Sequence, residues 1–203
     1  MTSLAERVAG TEGWVVGVDL TEGLAPGEVL AGVEFEDCRF TGSVLEKAVL
    51  RGCRFTGCIF TGCNLSMADL AGSRFTDCRF LECKALAVAW ARADAAPLST
   101  RPWDMERCRL DLGSWRDADV AGSRFVECSM REVDLAGADA RRAELRGCDL
   151  TGATVADTDL REASLVGSYG YAFDPTASRV QGLTVDAAGA GGILRAMGLV
   201  LAD

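Results

Sequence analysis

No histidine occurs among the 203 residues of this chain. That removes the side chain most used for proton transfer near neutral pH and the commonest nitrogen ligand for metals. Neither a Gly-x-x-x-x-Gly-Lys phosphate loop nor a Gly-x-Ser-x-Gly elbow is present, so the usual phosphoryl- and acyl-transfer motifs are missing. Basic residues are in deficit, 21 Lys and Arg against 30 Asp and Glu, for a formal charge of −9 and a pI near 4.6. A nucleic-acid binder needs the opposite balance, so direct binding to DNA or RNA is not expected. Long apolar runs are absent as well. The run at 14–18 is far too short to span a bilayer, and residues 1–10 lack a basic start followed by an apolar core. The expectation is a soluble cytoplasmic protein without membrane contact. Its hydrophobic content of 49% is ample for one core.

What is abundant is repetition. From 33 to 80 a large apolar residue falls on every fifth position: Phe35, Phe40, Leu45, Leu50, Phe55, Phe60, Leu65, Leu70, Phe75 and Phe80. Two residues before each sits a small one, such as Cys38, Ser43, Ala48 and Cys53. A period of five is neither strand nor helix. Units this short cannot bury an apolar face alone and must stack on neighbours, which makes the stretch one side of a solenoid. The same phase persists through Leu110, Trp115, Val120, Phe125, Met130, Leu135, Leu145, Leu150, Val155, Leu160 and Leu165, with small exceptions at Ala85, Ala95, Thr100 and Ala140.

Units such as Ala68-Asp69-Leu70-Ala71-Gly72 and Cys148-Asp149-Leu150-Thr151-Gly152 resemble the pentapeptide-repeat family. The resemblance implies an all-β, right-handed quadrilateral β-helix, four units to a coil, with residues twenty apart stacked. Under that rule Phe35, Phe55 and Phe75 form one ladder, and Leu50, Leu70, Trp90, Leu110, Met130 and Leu150 form another. The expected organisation is an N-terminal cap and irregular first coil over 1–30, and a repeat solenoid over 31–167, irregular near 91–103. A last partial coil and a C-terminal helix and strand that form a dimerisation element follow over 168–203.

All nine cysteines share one phase of five: Cys38, Cys53, Cys58, Cys63, Cys78, Cys83, Cys108, Cys128 and Cys148. They are expected to be small buried fillers. Stacked thiols pointing the same way have the wrong dihedral geometry for disulfides and do not converge tetrahedrally, so neither bridges nor a metal site are expected. No cofactor is implied, and enzymatic activity is not expected of a filled rod.

The flanks and the break carry the remaining signals. Ser3 to Glu6 matches a capping box, and Val18, Leu20 and Leu30 keep the later phase. Around Pro97, Arg101, Pro102 and Trp103 the pattern fails, since Trp103 is too large for a small slot. Either an outward loop or a distorted coil fits, with an insertion of a multiple of five. We favour a distorted coil whose bulging tip, with Pro97, Arg101 and Trp103, offers a surface contact. Beyond 165, Asp186 reads as an N-cap and Gly198 as a C-cap around a short helix, and 199–201 as a terminal strand. Resemblance to the Qnr and MfpA type implies a homodimer through Ile193, Leu194, Met197, Leu199 and Leu201.

Residues 31–85 carry seven acids and seven bases, whereas 104–165 carry fourteen acids and nine bases. Folding the latter stretch by the twenty-residue rule puts Asp117, Asp119, Asp139, Asp157 and Asp159 on one face against Arg116 alone. An adjoining face holds Asp111, Glu132 and Asp134 against Arg131, and the next, with Arg124, Arg141, Arg142 and Arg161, is net positive. The two acidic faces together net −6. Three coils rise about 14 Å at strand spacing, a length over which duplex DNA presents about 8 negative charges. The resemblance to gyrase-protecting pentapeptide proteins, among them the albicidin- and microcin-immunity types, then implies a DNA mimic. Its partner would be DNA gyrase or a related type II topoisomerase, shielded from a poisoning antibiotic or toxin. The alternative is a scaffolding repeat protein with a non-gyrase partner.

Overall fold

The computed structural model describes residues 3–95 and 103–201. Its strands are two or three residues long and pair in parallel, at all but one step with the strand twenty residues on. Such short strands follow from the five-residue unit. The central residue and the small one two before it turn inward, while the three others face out and make the corner, as at buried Cys148 and Leu150 beside exposed Thr151 and Gly152. The corner residue takes a positive φ. Glycine fits there without strain, but Asp117, Glu132 and Asp157 also adopt it.

Successive coils build a four-sided parallel β-helix. One face is a five-stranded sheet of Trp14–Val16, Glu34–Glu36, Arg54–Thr56, Arg74–Thr76 and Asp94–Ala95. The next is a seven-stranded sheet running from Asp19–Leu20 to Glu144–Arg146. The other two faces are held by the pair Val29–Ala31 and Val49–Arg51 and by isolated parallel bridges such as Val44 to Asn64 to Lys84. Among the described residues no helix is long and apolar enough to cross a membrane.

Inside, the expected phenylalanine ladders are present. Phe35 stacks on Phe55 and Phe55 on Phe75, with ring planes 3° and 6° apart, and Phe40, Phe60 and Phe80 form the second ladder. All nine cysteines are buried and unbridged. Each Sγ lies against a carbonyl of the preceding coil, Cys128 Sγ at 3.5 Å from Met105 O and Cys148 Sγ at 3.4 Å from Phe125 O. Burial pushes the Cys38 and Cys53 thiols above their ordinary range.

The twenty-residue rule fails once. Asp94 still pairs with Arg74, but Arg79 pairs with Asp104, twenty-five residues on, as do Lys84 with Arg109 and Ala89 with Ser114. One extra five-residue unit therefore lies between Ala95 and Trp103, and a spacing of twenty resumes afterwards. This corrects the expected ladders. Leu110 follows Ala85, not Trp90, and Trp90 stacks instead on Trp115. The insertion also brings Cys83 and Cys108 into successive coils, so the Cys108 thiol meets Phe80 O, twenty-eight residues back rather than twenty-three.

Both ends are closed by helices. α1, Leu4–Val8, has the expected capping box between Ser3 and Glu6 and buries Leu4 and Val8 against the first coil, which already winds in register from Trp14. At the other end Asp159 bridges to Arg179 and Ser164 to Thr184. α2, Ala187–Ala196, follows, capped by Asp186. Gly198 ends it at φ +84°, with the Leu199 N–H donating to Leu194 O. The strand expected over 199–201 does not form: a strand needs a neighbour, and this segment pairs with no other strand among the described residues.

Candidate functional site

The acidic ladder is built by the solenoid itself. Asp119, Asp139 and Asp159 occupy successive coils at the same outward position, with Arg179 next in line. They are not equally free. Arg141 grips Asp139 with both edges of its guanidinium, Nε to Oδ1 at 2.8 Å and Nη2 to Oδ2 at 2.6 Å. Arg161 does the same to Asp159 at 2.9 and 2.7 Å, and Arg179 adds a contact at 3.4 Å. These charge-assisted bonds hold both carboxyls below the usual carboxylate range. Asp134 is held by Arg116 at 2.8 Å.

Asp117, Asp119, Asp157 and Glu132 make no ion pair within 4 Å among the described residues, and all four are exposed. Asp117, Glu132 and Asp157 sit at positive-φ corners. There the Asp117 carboxylate lies over Gly137 of the next coil, where an added Cβ would collide with it. Asp119 accepts from the Ala121 N–H at 3.0 Å. The usable negative charge is thus at the corners and at one rung of the ladder.

Counting charges by face had separated acids from arginines, and the side chains undo that separation. Asp139 and Arg141 flank inward Ala140, and Asp159 and Arg161 flank inward Leu160, so each pair points outward from a single unit. The Asp-x-Arg spacing around an inward residue carries that signal. Arg124 is likewise engaged, with Asp104 at 2.8 Å and Glu106 at 3.3 Å. Beside the ladder a cleft of about 500 Å³ opens between Asp157, Asp159, Thr176 and Arg179.

Of the tip residues, Pro97 and Arg101 lie outside the described residues. Trp103 does not reach a partner's surface: it is 2% exposed and packs edge-on against Trp90 at 5.0 Å. Its ring also meets Phe75, at 5.8 Å.

In the C-terminal element Met197, Leu199 and Leu201 are exposed and Val200 is 96% exposed, whereas Leu194 is half-buried and Ile193 packs partly against the solenoid core. The glycines of α2 have a use that helix propensity hides. A Cβ on Gly189 would strike the Tyr171 hydroxyl and one on Gly192 the Tyr171 carbonyl, so only glycine lets the helix lie this close. Asp186 joins helix to coil by accepting from Gly189 N at 2.8 Å and Gly167 N at 2.7 Å, which lowers its pKa.

Eight copies of the pentapeptide repeat are recognised in the chain, over residues 38–77, 116–152 and 128–167. Among solved structures, HetL from the cyanobacterium Nostoc sp. strain PCC 7120, a pentapeptide repeat protein involved in heterocyst differentiation regulation, is 17% identical. The match covers 91% of this chain and 93% of HetL at a TM-score of 0.61, a likeness of fold. Full-length QnrB1, a plasmid-mediated fluoroquinolone resistance protein, is 21% identical over 92% of this chain and 100% of its own, with a TM-score of 0.48. None of the curated protein sequences matches. The five-residue unit is written both in the sequence and in the coils it winds, and the chain belongs to the pentapeptide-repeat family.

Proposed function

We propose that this protein is a cytoplasmic DNA mimic that binds the basic DNA-gripping surface of DNA gyrase or a related type II topoisomerase. Bound there, it shields the enzyme from a gyrase-poisoning antibiotic or toxin, as resistance or self-immunity. The observation that carries this reading is a solid rod of net charge −9 whose exposed, ion-pair-free carboxylates include Asp117, Asp119, Asp157 and Glu132 in the C-terminal half. Its interior is filled by side chains, so the molecule acts through its outside. A basic groove shaped for duplex is the complementary surface, and association with it is steered by charge. Two rods joined through Met197, Leu199, Val200 and Leu201 would form the homodimer, which removes that apolar surface from water.

The test is gyrase supercoiling with purified protein titrated in, with and without a cleavage-stabilising drug. Rescue in the drug's presence, or dose-dependent inhibition without it, is the expected result. No effect on gyrases from several bacteria would overturn it.

A second reading, a scaffolding rod with a different protein partner, is favoured by one observation. Arg141 and Arg161 neutralise two of the three rungs of the aspartate ladder, which a phosphate mimic would leave bare.

A further inference from the structure

Parallel coils leave the first of them with a bare edge. Trp14–Val16 is the terminal strand of its sheet and is paired on one side only, with Glu34–Glu36. Gly13 O accepts from Glu34 N at 2.8 Å, and Gly17 N donates to Glu36 O at 2.9 Å. Such bonds fall on alternate residues, so Gly13, Val15 and Gly17 turn their backbone groups to the second coil while Trp14 and Val16 turn theirs to the open end. Thr11 O takes the Trp14 N–H at 3.0 Å. The Trp14 carbonyl and both backbone groups of Val16 have no hydrogen-bond partner among the described residues. α1 seals the core beside this edge, with Leu4 N donating to Gly23 O, and does not pair with it.

Exposed edges are commonly blunted by a lysine, a proline or an inward charge. None of these is present in the strand, whose outward residues are Trp14, 60% exposed, and Val16, 47% exposed. The charge around it has one sign. Residues 1–41 hold eight acids against Arg7 and Arg39, and so carry −6 of the formal −9. Extending the count to residue 56, which brings in Lys47, Arg51 and Arg54, still leaves this end of the rod at −4. Arg7 reaches Glu22, Arg39 reaches Asp19 and Arg54 reaches Glu34. Glu12, Glu36 and Asp37 are exposed and make no ion pair within 4 Å among the described residues.

We propose that this edge takes up one extended, basic segment of a partner protein as an added outer strand. Its backbone meets the Trp14 carbonyl and the Val16 N–H and carbonyl, as in strand addition to any open sheet. Its outward arginines or lysines lie over the Trp14 indole, whose face attracts a cation, and reach Glu12 and Glu36. Charge selects the occupant: a second copy presented end to end would bring two acidic ends together, and an acidic strand would meet the same repulsion. The surface is at the opposite end of the rod from α2 and does not rest on the gyrase reading.

The probe is a fluorescein-labelled octapeptide alternating arginine and threonine, followed by fluorescence anisotropy against the full chain. Its control is the same peptide N-methylated on every backbone nitrogen, which keeps the charge but cannot donate a backbone hydrogen bond. The expected result is binding that falls at least about tenfold on N-methylation, in W14A and in E12K/E36K, and is unchanged in E127K, which alters an exposed acid several coils away. No binding by wild type, equal binding of the methylated peptide, or an equal loss in E127K would each overturn the proposal. A dimer that W14A converts to monomer in sedimentation would give the edge to a second copy and overturn it as well.

Discussion

Trp90 and Trp115 lie face to face in successive coils, ring centroids 5.7 Å apart and planes within 6°, although twenty-five residues separate them. Both are essentially fully buried, and Trp103 packs edge-on against Trp90. The coils on either side of the twenty-five-residue step are therefore filled by indoles. Trp115→Ala should cost about 3 to 5 kcal/mol, the usual range for emptying a large buried aromatic site. Urea unfolding measures it. A loss below about 1 kcal/mol would mean that the neighbouring coils close the space.

The same stack marks how far the sequence could be read. The phase of five fixes which side of each residue faces inward, because every unit has one backbone conformation; the phenylalanine ladders and buried cysteines follow directly. An insertion of one whole unit leaves that phase untouched, so Leu110 keeps its inward place while its neighbour below changes from Trp90 to Ala85. Periodicity reports orientation and is blind to coil count. Charge counting fails for a related reason. It assigns Asp139 and Arg141 to different faces, while their side chains are long enough to meet around Ala140.

Thiol chemistry offers a direct check on the core. Every cysteine side chain is buried, and thiol reagents act on an accessible thiolate. Native protein should therefore show almost no reaction with an aromatic disulfide reagent, while denatured protein should titrate all nine cysteines. Fast reaction of several thiols in the native state would show that the coils open locally.

Gly189 sits under the Tyr171 hydroxyl, and any side chain there collides with it. Gly189→Ala raises intrinsic helix propensity by about 0.8 to 1 kcal/mol, so an isolated helix would be stabilised. In the folded protein the expected sign is opposite: α2 should lift from the last coil, seen as faster amide exchange over 187–196 and quicker tryptic cleavage after Arg195. Unchanged exchange would show that Tyr171 gives way instead.

Asp139, Asp159 and Asp186 all have lowered pKa values in the folded state, the first two through arginine and the third through backbone N–H groups. A depressed carboxyl adds stability above the unfolded value of about 3.9 and loses it as pH falls through the folded value. The melting temperature should accordingly be flat from neutral pH down to about 4.5 and fall below it. Asp186→Asn can keep the Gly189 cap with its one oxygen but loses the charge and the bond from Gly167 N, so it should be less stable at neutral pH and its melting curve should fall less steeply at acid pH. An identical acid slope would remove Asp186 from this account.

The division between free and gripped carboxylates separates the two functional readings. If negative charge is what a basic partner recognises, Asp117→Lys, Asp119→Lys and Asp157→Lys together should weaken gyrase binding at least about tenfold at low salt, with the wild-type affinity itself falling as salt rises. Asp139→Asn with Arg141→Gln, together with Asp159→Asn and Arg161→Gln, removes two whole ion pairs from the same face. The net charge there is unchanged, so this set should leave affinity nearly unchanged and show its effect in melting temperature. Binding measured by surface plasmon resonance at several salt concentrations distinguishes the cases. A gyrase affinity insensitive to the three lysines would refute charge mimicry at this face, because Asp117, Asp119 and Asp157 are the carboxylates there that no arginine already balances.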